Sequence, residues 1–335
     1  RRADGEDAAV LSLLDELGVS FAPTPMAPAV GAPTQLYDPA ALTTRPRSRR
    51  RGATTDGEAF GRHEVVGELG LGGMGRVVEA RDPELRRAVA VKVLANPRSV
   101  TDAQLSRFVA EAQITSQLEH PNIVPVHDMG CAADGQIYFV MKKVEGRSLR
   151  EVLASLRQGH ADDVAHWSRR RLLSLFVQVC HAVAYAHDRG VLHRDLKPEN
   201  IMVGRFGEVL VMDWGVARMM GDRSEVAGTD AAIERITLAP TMDGIAVGTP
   251  GYMSPEQAEG DLPALDARTD VWSLGAILYE LLTLQRAFWG SGLYAIVFAA
   301  RQSTPTDPRL RAPERAIPDE IAAVAAAIGA SYGGC

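Results

Sequence analysis

The octamer at positions 193–200 reads His193-Arg194-Asp195-Leu196-Lys197-Pro198-Glu199-Asn200. It places a carboxylate, a cation and a side-chain amide close together at Asp195, Lys197 and Asn200. A carboxylate can accept a hydroxyl proton, a lysine can neutralise a phosphate, and an amide oxygen suits a hard cation such as Mg²⁺. This combination indicates phosphoryl transfer, which depends on positioning and charge neutralisation more than on covalent chemistry.

A second candidate metal ligand follows in Asp213-Trp214-Gly215, thirteen residues after Asn200. Between them, the apolar runs 201–203 and 208–212 predict a β-hairpin, which would bring Asn200 and Asp213 to one end of the strands. The alternative is a charged surface loop, but the order and spacing of these residues favour a site.

A glycine-rich stretch lies upstream and reads Leu69-Gly70-Leu71-Gly72-Gly73-Met74-Gly75-Arg76-Val77. A dinucleotide-binding loop uses a similar string but leads into a helix. Here the β-prone Val77 and Val78 follow, which favours a hairpin whose backbone amides can approach phosphates. A plain hairpin turn is the alternative.

Lys92 interrupts the apolar run 89–93. Burial of an ammonium group without a partner is costly, so Lys92 is either solvated at an edge or paired with an anion. Glu111, nineteen residues later on a predicted helix, is the candidate partner, and nucleotide phosphates are the second anion.

The pattern of apolar residues changes along the chain. Strands are predicted at 65–80, 88–94, 123–126 and 137–141 with a helix at 101–118, and helices at 148–157, 169–189, 269–284 and about 290–302. This succession predicts an α+β fold with a small β-rich lobe, 60–141, and a larger helical lobe, 142–320. The Ala-, Pro- and Arg-rich residues 1–59 are predicted to be disordered, and 321–335 form an Ala/Gly-rich tail.

Composition narrows the function classes. The net charge of −6 argues against general nucleic-acid binding. Three cysteines without a CxxC motif fit a reducing, cytoplasmic compartment. No apolar run is long enough to span a membrane. The chain opens with Arg1, so a membrane anchor outside it is left open, and the sequence does not indicate an oligomeric state.

Five motifs occur in the order of a known signature set. They are the glycine loop, Val89-Ala90-Val91-Lys92, His193-Arg194-Asp195 with Asn200, Asp213-Trp214-Gly215, and Ser254-Pro255-Glu256. Over about residues 60–320 the chain therefore resembles a bacterial eukaryotic-type (Hanks-type) serine/threonine protein kinase. The resemblance implies transfer of the γ-phosphoryl group of ATP to serine and threonine hydroxyls of protein substrates.

The resemblance also implies roles. Lys92 would hold the α- and β-phosphates and pair with Glu111. Asp195 would be the catalytic base, Lys197 would steady the γ-phosphate, and Asn200 and Asp213 would bind Mg²⁺, with Mn²⁺ as an alternative ion. The remaining ATP-binding positions would be Leu69, Gly70, Leu71, Gly72, Gly73, Met74, Gly75, Val77, Ala90, Met141, Val144 and Met202.

Regulation is predicted in the segment 213–256. We expect autophosphorylation there, with a phosphate on Thr237 or Thr241 ordering the segment through Arg194. Because no arginine follows Arg315, Glu256 is expected to lack the late arginine that the family pairs with it.

Two alternatives stay open. A pseudokinase would bind nucleotide without turnover, although Lys92, Asp195 and Asp213 are all present. A small-molecule phosphotransferase of related fold is the other, although the Gly248-Thr249-Pro250 and Ser254-Pro255-Glu256 elements favour a protein substrate.

Overall fold

The computed structural model describes residues 58–72, 75–94, 101–132, 134–215, 217–219, 250–259, 264–289, 298–299 and 305–326. They divide into two compact units: residues 58–116 with 125–144, and residues 117–124 with those from 145 onward. Several predictions concern residues that lie outside these ranges. They are most of the segment 1–59 predicted to be disordered, Gly73, Met74, the predicted phosphorylation sites Thr237 and Thr241, Thr249, most of the helix predicted at 290–302, and the part of the predicted tail 321–335 that begins at 327. Ala59, within the segment predicted to be disordered, forms a strand with Phe60.

The first unit is built on one antiparallel sheet. Its strands are β1 (Ala59–Phe60), β2 (His63–Gly72), β3 (Gly75–Asp82), β4 (Arg87–Leu94), β5 (Val126–Cys131) and β6 (Ile137–Lys142). Their order in the sheet is β1-β2-β3-β4-β6-β5. One helix, α1 (Asp102–Gln117), accompanies them, as the sequence predicts.

Alternation along the strands separates a core face from a second face. The core face carries a buried cluster formed by Phe60, Val78, Ala80, Val89, Val91, Val93, Tyr138 and Val140. The intervening positions of β3, β4 and β6 place Val77, Lys92 and Phe139 side by side, because Val77 pairs with Lys92 and Lys92 with Phe139. Lys92 therefore belongs to the face opposite the hydrophobic core.

The strand predicted at 123–126 is wrong in its position. The strand of this region is β5, which begins at Val126, and Pro125 lacks the N–H that a longer ladder would need. Ile123 and Val124 are buried instead in the second unit, where Ile123 forms an isolated parallel bridge with Val211. Their apolar character reflects this burial rather than strand formation.

The second unit is mainly helical. Its helices are α2 (Leu149–Arg157), α3 (Ala161–His166), α4 (Arg169–Asp188), α5 (Pro255–Glu259), α6 (Ala267–Thr283), α7 (Pro308–Arg311) and α8 (Asp319–Ala326). The three helices predicted at 148–157, 169–189 and 269–284 correspond to α2, α4 and α6. The first begins at a capping box in which Ser148 and Glu151 satisfy each other's backbone amides.

Helix α6 forms the core of this unit. All but three of its seventeen residues are buried, including the polar Thr269, Asp270, Ser273 and Glu280. A helix that is apolar all round but carries buried polar groups needs partners for those groups. Those partners come from the segments that α6 supports.

Short strands complete the second unit. The strands β7 (Gly146–Ser148), β9 (Ile201–Gly204) and β10 (Val209–Val211) form a three-stranded sheet, and β8 (Val191–Leu192) pairs with β11 (Arg218–Met219). The β9–β10 hairpin is the one predicted between Asn200 and Asp213. A strand-rich unit and a larger helix-rich unit confirm the predicted α+β class. Among the helices formed by the described residues, none is long and apolar enough to cross a membrane.

A buried carboxylate stabilises the β3–β4 turn. Asp82 is fully buried and accepts the backbone amides of Glu84 and Leu85, each at 3.1 Å. The Arg62 guanidinium donates to both of its oxygens at 3.3 Å. Burial alone would raise the pKa of Asp82, but the Leu85 amide and Arg62 together hold that pKa below its ordinary value.

We expect Asp82→Asn to lower the free energy of unfolding at pH 7 by about 1–3 kcal/mol, since Arg62 then faces a neutral group. A depressed pKa stabilises the fold at pH values above the unfolded-state pKa of about 3.9, and this contribution is lost as pH falls through the native value. The difference in the free energy of unfolding between wild type and variant should therefore shrink below about pH 4. Denaturant unfolding at several pH values measures it. The control is Asp134→Asn on an exposed loop, and equal stability of Asp82→Asn and wild type at pH 7 would contradict the assignment.

Candidate active site

The glycine-rich stretch forms a hairpin between two strands. Gly72 at the end of β2 pairs with Gly75 at the start of β3, so only residues 73 and 74 connect them. The chain continues as a strand and not as a helix, and the dinucleotide-loop alternative is therefore wrong. Leu69 and Leu71, before the turn, are exposed.

Lys92 forms the ion pair that the sequence predicts. Its Nζ lies 2.5 Å from Oε1 of Glu111 on α1, and the two side chains are 15% and 4% exposed. The same Nζ lies 5.8 Å from the centroid of the Phe139 ring. A buried charge pair of this kind holds the ammonium in one place, as required for a group that meets phosphates.

The residues assigned to adenine within the first unit share the Lys92 face. Ala90 pairs directly with Met141, and both are buried. Val77 lies next to Lys92 across β3 and β4. Val144 is half-buried at the end of this unit, and their roles toward a nucleotide stay predictions.

The predicted catalytic residues of the second unit converge on Asp195. Lys197 Nζ lies 2.6 Å from Asp195 Oδ2. Asn200, in the 3₁₀ turn 198–200, donates its Nδ2 to the Asp195 carbonyl at 2.8 Å and to Oδ2 at 3.2 Å. These bonds commit the Asn200 nitrogen to Asp195, so its Oδ1 is the atom that a cation would take.

The loop that carries Asp195 is held by hydrogen bonds to a side chain of α6. Asp270 is fully buried and accepts the backbone amides of His193 and Arg194, each at 2.8 Å. His187 Nε2 donates to it at 2.8 Å. Burial alone would raise the pKa of Asp270, but the His187 bond and the charges and amide around it hold that pKa below its ordinary value.

Asp213 is joined to the same loop through its neighbour. Met212 donates its amide to the Asn200 carbonyl at 2.8 Å and accepts from His193 Nε2 at 3.1 Å. Asp213 itself is exposed and adopts a left-handed backbone with φ of 59°. Trp214 is buried and packs against the His193 ring, with the two ring centroids 4.6 Å apart.

The donor set fits a magnesium ion. Asn200 and Asp213 offer one amide and one carboxylate oxygen on segments tied by a backbone hydrogen bond. Mg²⁺ usually keeps several waters and takes one or two protein oxygens plus substrate phosphates. Among the ranges that the structure describes, no group of three or more His, Cys, Asp or Glu could hold a metal ion on its own.

Two further predicted residues lie in the second unit. Met202 occupies β9 between Ser148 and Leu210 and is half-buried. Glu256 on α5 is buried and accepts the Thr269 hydroxyl at 2.7 Å.

Sequence reasoning did not identify two residues that contact this machinery. His187 supports Asp270, as described above. Gln257 donates Nε2 to the Arg194 carbonyl at 2.6 Å. The pattern Ser254-x-x-Gln257 is visible as a helix cap, but nothing in the sequence links it to position 194.

Comparison with known proteins identifies the family. Residues 63–318 match the protein kinase domain. The chain is 38% identical over 266 residues to serine/threonine-protein kinase PknD of Protochlamydia amoebophila, covering 78% of this chain and 27% of that protein. It is 37% identical over 261 residues to serine/threonine-protein kinase PknB of Mycolicibacterium smegmatis, covering 77% of this chain and 38% of that protein. The chain thus spans well under half the length of these relatives, and it belongs to the protein kinase domain family.

Proposed function

We propose that this chain transfers the γ-phosphoryl group of ATP to serine and threonine hydroxyls of proteins. One observation carries the proposal: Lys197 and Asn200 both contact Asp195, on a loop whose backbone is held by the buried Asp270. A carboxylate held in this way can accept a proton, while the adjacent ammonium supplies positive charge. The names of the relatives, which are serine/threonine-protein kinases, support the same activity.

The chemistry assigned to each side chain follows from its contacts. Asp195 orients the substrate hydroxyl and accepts its proton as the hydroxyl oxygen bonds to the γ-phosphorus, while the bond from that phosphorus to the β–γ bridging oxygen breaks and ADP leaves. Lys197, 2.6 Å from Asp195, neutralises negative charge that develops on the transferred group. Asn200 keeps the Asp195 carboxylate in one rotamer through its Nδ2.

ATP and a divalent ion are the implied co-reactants. Asn200 Oδ1 and the Asp213 carboxylate would hold Mg²⁺, or Mn²⁺, and the ion would neutralise phosphate charge. Lys92, oriented by Glu111, would meet the α- and β-phosphates beneath the glycine hairpin. The adenine ring would lie against Val77, Ala90, Met141, Val144 and Met202.

The cysteines bear on the cellular setting. Cys131 and Cys180 are free thiols, and burial raises the pKa of Cys180 to about 12, which makes it inert. Free thiols support a cytoplasmic location. We also propose that the partners are protein substrates and not nucleic acids. The two lobes of the kinase domain are proposed to be residues 60–141 and 142–320.

We expect Asp195→Asn to reduce phosphate transfer to a protein by about 10²- to 10⁴-fold, because the amide cannot accept the substrate proton. The measurement is radiolabel transfer from ATP to a basic model protein and to the chain itself. The control is Asp188→Asn, an exposed carboxylate at the end of α4. Nucleotide binding without transfer by the wild type would favour a pseudokinase, and transfer to small molecules alone would favour a small-molecule phosphotransferase.

Glu111→Gln tests the ion pair. The variant keeps the shape of the side chain but removes the charge that orients Lys92, so kcat/KM for ATP should fall about 10- to 100-fold. Steady-state kinetics with varied ATP measure this, with the exposed Glu119→Gln as control. Unchanged kcat/KM would remove Glu111 from the proposal.

Autophosphorylation is the third expectation. Incubation with ATP should place phosphate on Thr237 or Thr241, and Thr237→Ala combined with Thr241→Ala should lower activity, since Arg194 then lacks a phosphate to pair with. Mass spectrometry of active enzyme locates the sites. Full activity with both threonines unmodified would exclude this mode of regulation.

A further inference from the structure

The peptide bond that precedes Asp195 is held at both of its polar atoms. Its carbonyl, from Arg194, accepts Gln257 Nε2 at 2.6 Å. Its amide, from Asp195, donates to His193 Nδ1 at 3.3 Å. Since His193 Nε2 donates to the Met212 carbonyl, Nδ1 is the acceptor nitrogen of this ring.

The backbone at this peptide is strained. Arg194 has φ of 67°, in the left-handed region that residues with a side chain seldom occupy. Such a conformation persists only where the surroundings over-determine it. Asp270 fixes the amide side of Arg194, and Gln257 fixes its carbonyl side.

Hydrogen bonds from Ser254 set the orientation of the Gln257 carboxamide. Its Oε1 accepts the amide of Ser254 at 3.2 Å and the Ser254 hydroxyl at 3.3 Å. The oxygen is therefore turned to the start of α5 and the nitrogen to Arg194. Ser254 is fully buried, so this cap is not exchanged for water contacts.

Segment 250–257 is in turn fixed to α6. Ser273 donates its hydroxyl to the Tyr252 carbonyl at 2.8 Å, and Thr269 donates to Glu256 at 2.7 Å. Both donors lie within four residues of Asp270 on the same helix. The two groups that hold Arg194 thus share one rigid support.

From this geometry we infer that Gln257 is a positioning residue for Asp195. By holding the Arg194 carbonyl, it sets the plane of the peptide that leads into Asp195 and so the direction of the Asp195 side chain. The inferred action is through this peptide bond and not through a contact with ATP or substrate. The inference rests on the proposed kinase function and adds a residue to its machinery.

The test is Gln257→Glu in the full chain. Glutamate keeps the oxygens that accept from Ser254, and therefore the cap, but cannot donate to the Arg194 carbonyl. Because small misplacement of a catalytic group costs about 10- to 100-fold in rate, kcat should fall by that factor. KM for ATP should change less than about twofold, since nucleotide contacts are intact.

Ser254→Ala is the matched control. It removes the hydroxyl from the cap but leaves the Gln257 bond to Arg194, so kcat should stay within about threefold of wild type while thermal stability falls modestly. If Gln257 acted only through the cap, Ser254→Ala would lose kcat at least as much as Gln257→Glu, which keeps the cap. Equal loss, or full kcat in Gln257→Glu, would overturn the inference.

A second variant covers the case in which glutamate destabilises the fold. If Gln257→Glu melts well below Ser254→Ala, the test uses Gln257→Met instead. Methionine is neutral and of similar length but has no donor, and its loss of kcat is compared with that of Ser254→Ala in the same way. The proposed function fails separately, if wild type transfers no phosphate. The positioning inference fails if wild type is active and both Gln257 variants match it.

Discussion

The described part of the helix-rich unit is organised around one buried carboxylate. Asp270 lies fully buried on α6 and accepts two consecutive backbone amides, of His193 and Arg194. An ionised group without solvent is tolerated only when its oxygens are satisfied, and here the backbone supplies the donors. The dependence is mutual. The Asp270 carboxylate needs the two amides as donors, and the loop keeps its conformation because the carboxylate binds those amides.

Of the five non-glycine residues with positive φ in the described part of the chain, two lie where chemistry is proposed. Arg194 precedes the candidate base and Asp213 is a candidate metal ligand, and both have a left-handed backbone. Each such residue costs about 1–3 kcal/mol, which the surrounding hydrogen bonds must offset. The bonds from His193 and Met212 link the segments that carry these two positions. The packing of Trp214 on the His193 ring adds to the same network.

The features that could be predicted from sequence are those with local signals. The glycine hairpin, the Lys92–Glu111 pair and the β9–β10 hairpin follow from residue type, alternation and spacing. The strand at 123–126 was misplaced because burial of Ile123 against Val211, 88 positions away, leaves the same apolar signal as a strand. The Gln257–Arg194 bond joins residues 63 positions apart through one side-chain nitrogen, and a periodic pattern cannot encode such a contact.

The central proposal is that two sets of side chains each contribute to phosphoryl transfer from ATP. Lys92 and Glu111 belong to the strand-rich unit, whereas Asp195, Asn200 and Asp213 belong to the helix-rich unit. A crystal structure of the chain with Mg²⁺ and a non-hydrolysable ATP analogue tests this most directly. The account predicts Lys92 Nζ at the α- and β-phosphates, with Asn200 and Asp213 as ligands of the Mg²⁺ ion. A nucleotide bound elsewhere, or one that contacts only one of the two sets, would contradict it.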